Sequence, residues 1–367
     1  MHREKLNIGF VRRGFSRSGG AEAYLRRLGR ALVAAGHEAT LLTSDHWPTE
    51  QWQWGRIVRV NGNDPLAFAD EIDRIDARKY CDLLVSLERI WRCDFFRAGD
   101  GVHRSWLERR AQFDGTLQKF ARRLRRKDKE ILELEKTLLG KNGAGRVIAN
   151  SAMVLDDIVH YYARPPETID LVRNGVRVSD FGPAPLKREA ARSRLGIASD
   201  EITLLFAGSG WGRKGLRFAI AATEKAGMRL LVAGRGKQRR YRSDAVRFLG
   251  EMDDLRLPLA ACDIFILPTI YDPFSNATLE AMAAGLPVIT TRANGCSEII
   301  DDNVHGSVID RPNDIAALTD ALRFWADPTR RDNARPGLLE RASQFDISRS
   351  VAHMLELLLN SIHANTP

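Results

Sequence analysis

Pro268-Thr269-Ile270-Tyr271-Asp272-Pro273-Phe274-Ser275-Asn276-Ala277-Thr278-Leu279-Glu280-Ala281-Met282-Ala283-Ala284-Gly285-Leu286-Pro287-Val288 reads as a strand end, a polar turn and a helix. Asp263 to Pro268 is apolar enough for a buried strand, and the helix runs from about Asn276 to Ala284 before a strand from Pro287 to Thr291. In a parallel sheet such a turn lies at the carboxyl end of a strand, where ligands bind. Ser275 can cap a helix whose free first-turn N–H groups point at an anion, and a diphosphate fits there. Asp272 stands before the helix and Glu280 about one turn into it, so two carboxylates could flank one ligand and accept hydrogen bonds from sugar hydroxyls. The plain alternative is a helix-N-terminal charge at Asp272 and a solvated Glu280.

Outward from this turn the alternation continues. Ile202 to Ala207 is a strand, Leu216 to Ala226 a helix, Arg229 to Ala233 a strand and Leu255 to Ala261 a short helix; Gly306 to Ile309 is a further strand and Asp314 to Ala326 a helix. Such alternation builds a parallel, doubly wound sheet. A second unit of the same kind opens the chain. Leu6 to Val11 is a strand, followed by a Gly19-Gly20 loop and a helix with Tyr24, Leu25, Leu28, Ala31 and Leu32 at helical spacing, which Gly36 ends before the strand Ala39 to Thr43. Strands follow at Ile57 to Val60 and Leu83 to Ser86, and Val147-Ile148-Ala149 reads as the last of this half. The Pro165-Pro166 break and the stretch Gly182-Pro183-Ala184-Pro185 separate the halves. We therefore expect a first lobe over 1–163, a second over 164–345, and a helix over 346–367 that returns to the first.

At 367 residues the chain suits two domains, each able to bury its own core. Hydrophobic residues at 44% and charged residues at 28% exclude a disordered or membrane-embedded class. The apolar run from Leu6 to Val11 is too short for a secretory core or a membrane span, so a cytoplasmic protein is expected. Cys81, Cys93, Cys262 and Cys296 form no C-x-x-C pair and have no histidines at metal spacing; they read as buried free thiols, and no metal site is expected. A net charge of +9 suggests an anionic partner. The segment from Arg104 to Lys129 concentrates this charge, with ten basic residues against Glu108, Asp114 and Asp128. Its apolar residues Phe113, Leu117, Phe120, Leu124, Ile131, Leu134 and Leu138 step by three, four or seven, which predicts a helix.

Gly208-Ser209-Gly210-Trp211-Gly212-Arg213-Lys214-Gly215 lies between the first strand and first helix of the second lobe. A flexible glycine turn with adjacent cations suits a pyrophosphate, which Arg and Lys neutralise while small residues allow close backbone approach. Gly215 replaces the Ser/Thr of a Walker loop, and a solvated turn is the plain alternative.

Asp272-x7-Glu280 and the following Ala-x-Ala-x-Gly-Leu-Pro-Val resemble the carboxylate-x7-Glu signature of the family-4 retaining glycosyltransferases. The resemblance implies an α/β fold of the GT-B type, two doubly wound Rossmann-like lobes facing across a cleft. It implies that Asp272 holds donor-sugar hydroxyls, with one methylene less reach than the Glu of many members, and that Glu280 holds the ribose. Arg213 and Lys214 match the family's diphosphate-binding pair. Phe274, Ser275, Asn276 and Ala277 fall in its donor site. Ser18-Gly19-Gly20-Ala21-Glu22 resembles the Gly-Gly-x-Glu loop that faces the donor phosphates, so Gly19 and Gly20 join the set. Asn150-Ser151 and Asn174-Gly175-Val176 match family turns near the hinge, of which Gly182 to Pro185 would form one strand.

Among the relatives, the lipopolysaccharide-core glucosyltransferases are the most similar branch. Asp100 aligns with an acidic position proposed to assist catalysis there, and His103 lies near a histidine of other members; a capping Asp and a surface His are the plain alternative. The resemblance implies a nucleotide-sugar donor as substrate with no cofactor, a glycan or glycolipid acceptor, and a retaining, metal-independent transfer. For the basic segment a solvated face and a nucleic-acid groove are open on composition. The branch resemblance favours an anionic membrane surface, with Arg104, Trp106, Arg122, Arg123, Arg125 and Arg126 as its contacts, no nucleic acid, and a peripheral position at the inner face of the membrane. The alternative class is a nucleotide- or nucleic-acid-binding protein without transferase activity, or a dehydrogenase; no Gly-x-Gly-x-x-Gly follows the first strand to support the latter.

Overall fold

The computed structural model describes residues 5–16, 20–62, 64–116, 125–181 and 187–363. The chain divides into two compact units, Met1–Arg173 with Ser350–Pro367, and Asn174–Arg349. In the first unit the elements are β1 (Asn7–Val11), α1 (Gly20–Ala34), β2 (Glu38–Thr43), β3 (Gly55–Arg59), α2 (Pro65–Arg74), β4 (Leu83–Ser86), β5 (Cys93–Arg97), α3 (His103–Ala111), α4 (Arg126–Leu139), β6 (Ala144–Ala149), α5 (Ala152–Tyr162) and β7 (Ile169–Leu171). Among the described residues seven strands form one parallel sheet in the order β3-β2-β1-β4-β5-β6-β7. Its central strands carry buried apolar side chains on both faces, as Ile8, Phe10 and Val11 do on β1, because helices cover both sides of the sheet.

The second unit contains α6 (Arg188–Leu195), β8 (Thr203–Ala207), α7 (Leu216–Ala226), β9 (Arg229–Ala233), β10 (Val246–Gly250), α8 (Arg256–Ala261), β11 (Ile264–Leu267), α9 (Asn276–Ala283), β12 (Val288–Thr291), β13 (Gly306–Ile309), α10 (Ile315–Trp325) and α11 (Pro328–Ser343). Its parallel sheet runs β10-β9-β8-β11-β12-β13. The last helix, α12 (Ile347–His363), starts in this unit, and its residues from Ser350 belong to the first. Both sheets reverse their winding once, between β1 and β4 in one and between β8 and β11 in the other, so each has a switch point where loops part and a ligand can settle. Among the described residues no helix is long and apolar enough to cross a membrane.

Several expectations need correction. Val147 to Ala149 does not end the first sheet: β7 pairs in parallel with β6, which carries the first unit to Arg173 rather than to 163. β5, whose bounds are not legible in the sequence because Asp94 and Arg97 interrupt its apolar run, ends just before Asp100; Arg97 is buried with its guanidinium 4.0 Å from the Tyr24 ring centroid. The helix expected through Phe113 is broken. α3 ends at Ala111 and a turn covers Gln112 to Asp114, whereas Ile131, Leu134 and Leu138 lie on the helix α4 as expected; Leu117, Phe120 and Leu124 lie outside the described residues. The polar helix α6 also escaped the pattern, because besides Ala191 and Leu195 it buries Arg192, whose Nη1 lies 3.4 Å from Asp263 Oδ2. Asp263 also accepts from Arg188 Nη2 (2.7 Å) and from the amide of Thr203 (2.9 Å), so hydrogen bonds tie α6 to the sheet alongside the buried Ala191 and Leu195. The expected hinge strand at Gly182 to Pro185 lies outside the described residues.

Candidate functional site

The two loops at the β8/β11 switch point are joined to each other. Thr269 Oγ1 donates to the Arg213 carbonyl at 3.0 Å, and the Ile270 amide donates to the same oxygen at 2.8 Å. Gly215 adopts φ +76° with its Cα against the Pro268 carbonyl, where a Cβ would stand 1.9 Å from that oxygen. Only glycine fits. The contact holds the cations of the first loop over the carboxylate of the second: Lys214 Nζ lies 2.8 Å from Asp272 Oδ2, and Arg213 Nη1 lies 4.0 Å from Oδ1 and donates to the Tyr271 carbonyl at 2.9 Å. Lys214 can lie across this corner because Gly208, at φ +131°, has no Cβ to meet its aliphatic stem.

Asp272 is buried, and that burial pushes its carboxyl pKa up. The charges of Lys214 and Arg213, the Lys214 hydrogen bond and the Phe274 amide outweigh it and hold the group below the ordinary carboxylate range. Asp272 is therefore ionised at neutral pH. Behind it, Asn294 is fully buried and organises the turn. Its Oδ1 accepts from the amides of Ser275 (3.2 Å) and Cys296 (3.1 Å), and its Nδ2 donates to Thr278 Oγ1 (3.2 Å) and Thr290 Oγ1 (3.0 Å). Ser275 caps α9 by accepting from the Thr278 amide at 3.3 Å. Asn276 and Ala277 are half-buried in the first turn of α9, and Asn276 Oδ1 accepts from Asn174 Nδ2 at 3.0 Å; Phe274 is buried and Glu280 half-buried. Asp272, Arg213, Lys214 and the start of α9 thus converge at one corner of the sheet.

Trp211, inside the cationic loop, is buried, with its ring stacked on Phe248 at 5.2 Å and edge-on to Tyr241 at 5.7 Å. Neither Trp211 nor Asn294 was singled out from the sequence.

In the first unit the β1/β4 switch point is occupied by Arg12. Its Nη2 donates to Glu22 Oε1 at 3.0 Å, its Nη1 donates to Asp100 Oδ2 and to the Leu87 carbonyl, both at 3.2 Å, and Glu88 Oε2 lies 3.9 Å away. Glu22 is buried, whereas the Asp100 side chain is 56% exposed. Gly20 begins α1; Gly19 lies outside the described residues.

His103 begins α3, but its ring turns to α4: Nε2 lies 3.1 Å from Asp128 Oδ1. Burial, aided by Arg89, lowers its pKa against the pull of Glu135 and Asp128, so the ring is neutral at pH 7. Its amide and that of Arg104 donate to Glu135 at 2.7 and 3.0 Å.

The basic segment is less free than its composition implies. Arg109 lies 3.5 Å from Asp157, Arg110 lies 3.6 Å from Asp128 and 5.3 Å from the centroid of the half-buried Trp106, Arg104 bonds Glu108 at 3.2 Å, and Arg126 bonds Glu130 at 2.6 Å. Arg125 is exposed at the start of α4, and Arg122 and Arg123 lie outside the described residues.

Residues 201–327 match the family model described as glycosyl transferases group 1. That stretch of the second unit is similar to the group 1 glycosyltransferases. The matched stretch contains the whole Arg213–Lys214–Asp272 corner and Glu280. The D-inositol 3-phosphate glycosyltransferase of Thermobispora bispora is 29% identical over 252 residues, covering 61% of this chain and 58% of that protein. The chain spans about three-fifths of the length of the first curated relatives it matches. The structure of WaaG, a glycosyltransferase involved in lipopolysaccharide biosynthesis, has a TM-score of 0.79 at 21% identity, covering 95% of this chain and 99% of that one. Anabaena HepE in complex with UDP and glucose has a TM-score of 0.72 at 15% identity, covering 96% and 99%. These likenesses give the fold: two parallel-sheet α/β lobes of the GT-B type.

Proposed function

We propose that the chain is a retaining, metal-independent glycosyltransferase that moves a sugar from a nucleotide-diphosphate donor, UDP-glucose or a similar molecule, to a glycan or glycolipid acceptor of the lipopolysaccharide-core kind. The observation that carries this reading is the meeting of Arg213, Lys214, Asp272 and the start of α9 at the switch point of the second sheet. Donor cleavage leaves a nucleoside diphosphate, and the added negative charge is met by Arg213, Lys214 and the first-turn amides of α9. Asp272 accepts from sugar hydroxyls, and Glu280, about one turn along the helix, accepts from the ribose. The acceptor hydroxyl attacks on the face from which the phosphate departs, and a departing phosphate oxygen takes its proton, so the protein needs no nucleophile of its own.

Of the two first-unit candidates, the exposed Asp100 is the better placed to meet a substrate; His103 is engaged by Asp128 and acts through the seating of α3. The HepE complex with UDP and glucose supports the donor class by likeness of fold. Arg104, Arg125 and Arg126, all exposed, would meet an anionic membrane surface, with a smaller free charge than composition suggests because Arg109 and Arg110 are paired.

The test is donor hydrolysis across a panel of nucleotide sugars in excess EDTA. Turnover of one UDP-sugar in chelator is expected, together with a drop of about tenfold or more in Glu280→Gln at unchanged circular dichroism, because an amide is a poorer acceptor for two hydroxyls. Activity lost in EDTA and restored by magnesium would remove Arg213 and Lys214 as the groups that neutralise the diphosphate. Wild-type rates in Glu280→Gln would take Glu280 out of the site.

A further inference from the structure

Between β9 and β10 the chain reads Arg235-Gly236-Lys237-Gln238-Arg239-Arg240-Tyr241-Arg242, with five cations and no carboxylate. All five cations are exposed. Arg235 lies 3.7 Å from Glu251, but Lys237, Arg239, Arg240 and Arg242 pair with no carboxylate among the described residues. Elsewhere on this chain, arginines of the basic segment find acidic partners, as Arg109 and Arg110 do. Four neighbouring cations left to repel one another are an electrostatic feature that a solvated turn does not need.

The turn is also held in place. The Arg240 amide donates to the Lys237 carbonyl at 3.0 Å and the Tyr241 amide to Gln238 at 2.9 Å. The Arg235 amide donates to Ser209 Oγ at 3.2 Å, and Gly236 lies so close to the Trp211 ring that a Cβ there would stand 2.3 Å from it. Tyr241 packs its ring against Trp211 from the other side of the turn. The unpaired cations are therefore fixed to the loop that carries Arg213 and Lys214, at the carboxyl edge of the adjacent strand.

We infer that residues 235–242 form an electrostatic approach surface for the anionic nucleotide-sugar donor. The inference rests on the donor reading above. Arg213 and Lys214 are already engaged by the Tyr271 carbonyl and Asp272 and act at contact range. The four unpaired cations act earlier, over roughly the 8 Å Debye length of physiological salt, and raise the rate of encounter rather than the lifetime of the complex. The one aromatic residue of the turn, Tyr241, packs inward, which leaves no apolar side chain to enter a bilayer and favours a soluble anion over a membrane.

The experiment is stopped-flow tryptophan fluorescence of UDP association with the full chain, for wild type and for Lys237→Gln/Arg239→Gln/Arg240→Gln/Arg242→Gln, over a range of salt. These side chains are exposed, so an unchanged melting curve is the expected control. At low salt the variant is expected to bind about tenfold more slowly with the same dissociation rate, and the two proteins are expected to converge at high salt. Equal association rates and equal salt slopes would overturn the inference, as would a change confined to the dissociation rate. A variant that loses only sedimentation with anionic vesicles, or only binding of a single-stranded oligonucleotide, would assign the turn to those partners instead. If calorimetry and fluorescence both show no UDP binding by the wild type, the donor reading itself fails and this inference falls with it.

Discussion

Lys214→Met is expected to cost the second unit about 3–5 kcal/mol and to lower donor turnover by roughly 10² to 10³, two effects with one cause. Both partners of the Lys214–Asp272 pair are buried, with side chains 11% and 7% exposed. Removing the ammonium leaves a carboxylate out of water with Arg213, at 4.0 Å, and the Phe274 amide to offset it. The pH dependence should change sign. In the wild type the folded pKa of Asp272 is depressed, so its contribution is present above the unfolded carboxylate value, near 4, and is lost as pH falls through the folded value. In the variant burial dominates and raises the pKa, so acidification should relieve the destabilisation. Urea unfolding as a function of pH checks this. A second variant, Lys214→Met/Asp272→Leu, should recover most of the stability and none of the turnover, which separates the pair's structural role from its proposed catalytic one. Wild-type turnover in either variant would show that the corner is only a structural ion pair.

Glu135→Leu should destabilise the first unit by a similar amount, about 3–5 kcal/mol, because it orphans several donors at once. Glu135 is buried on α4 and accepts from Arg89 Nε at 2.9 Å, from Tyr162 Oη at 2.6 Å and from the first two amides of α3. It therefore satisfies a helix N-terminus from a neighbouring helix. Arg89 in turn donates to the Gly101 carbonyl at 2.7 Å, next to Asp100, so the loop after β5 is expected to loosen as well. The measurement is the urea midpoint together with amide hydrogen exchange over 99–111. A wild-type midpoint, or protection of the His103 and Arg104 amides as strong as in the wild type, would contradict this role.

The parts of the site that could be read in the sequence are those whose chemistry is local. Gly208 to Gly215 carries its cations and its positive-φ glycines within eight residues, and Ser275 sits where a cap must sit before α9. Strand and helix alternation likewise reveals a doubly wound sheet because its apolar runs are contiguous. What stayed hidden depends on partners far along the chain. Asn294 looks like half of an ordinary Asn-Gly turn until Ser275, Thr278 and Thr290 close around it. His103 looks free for chemistry until α4 brings Asp128 to its ring, and Arg109 looks like surface charge until α5 brings Asp157 within 3.5 Å. Counting charges along a segment measures composition, whereas the field outside it depends on which charges are already paired. That difference moves attention from the Arg104 to Lys129 segment toward Lys237, Arg239, Arg240 and Arg242.

The central claim is that the second unit holds a nucleotide diphosphate at the Arg213–Lys214–Asp272 corner. Calorimetric titration of the full chain with UDP, in EDTA, tests it most directly. The account predicts a single saturable site in the wild type, retained in Asp100→Asn and abolished in Lys214→Met under conditions where that variant is folded. Absence of binding in the wild type, or binding that survives Lys214→Met unchanged, would contradict it.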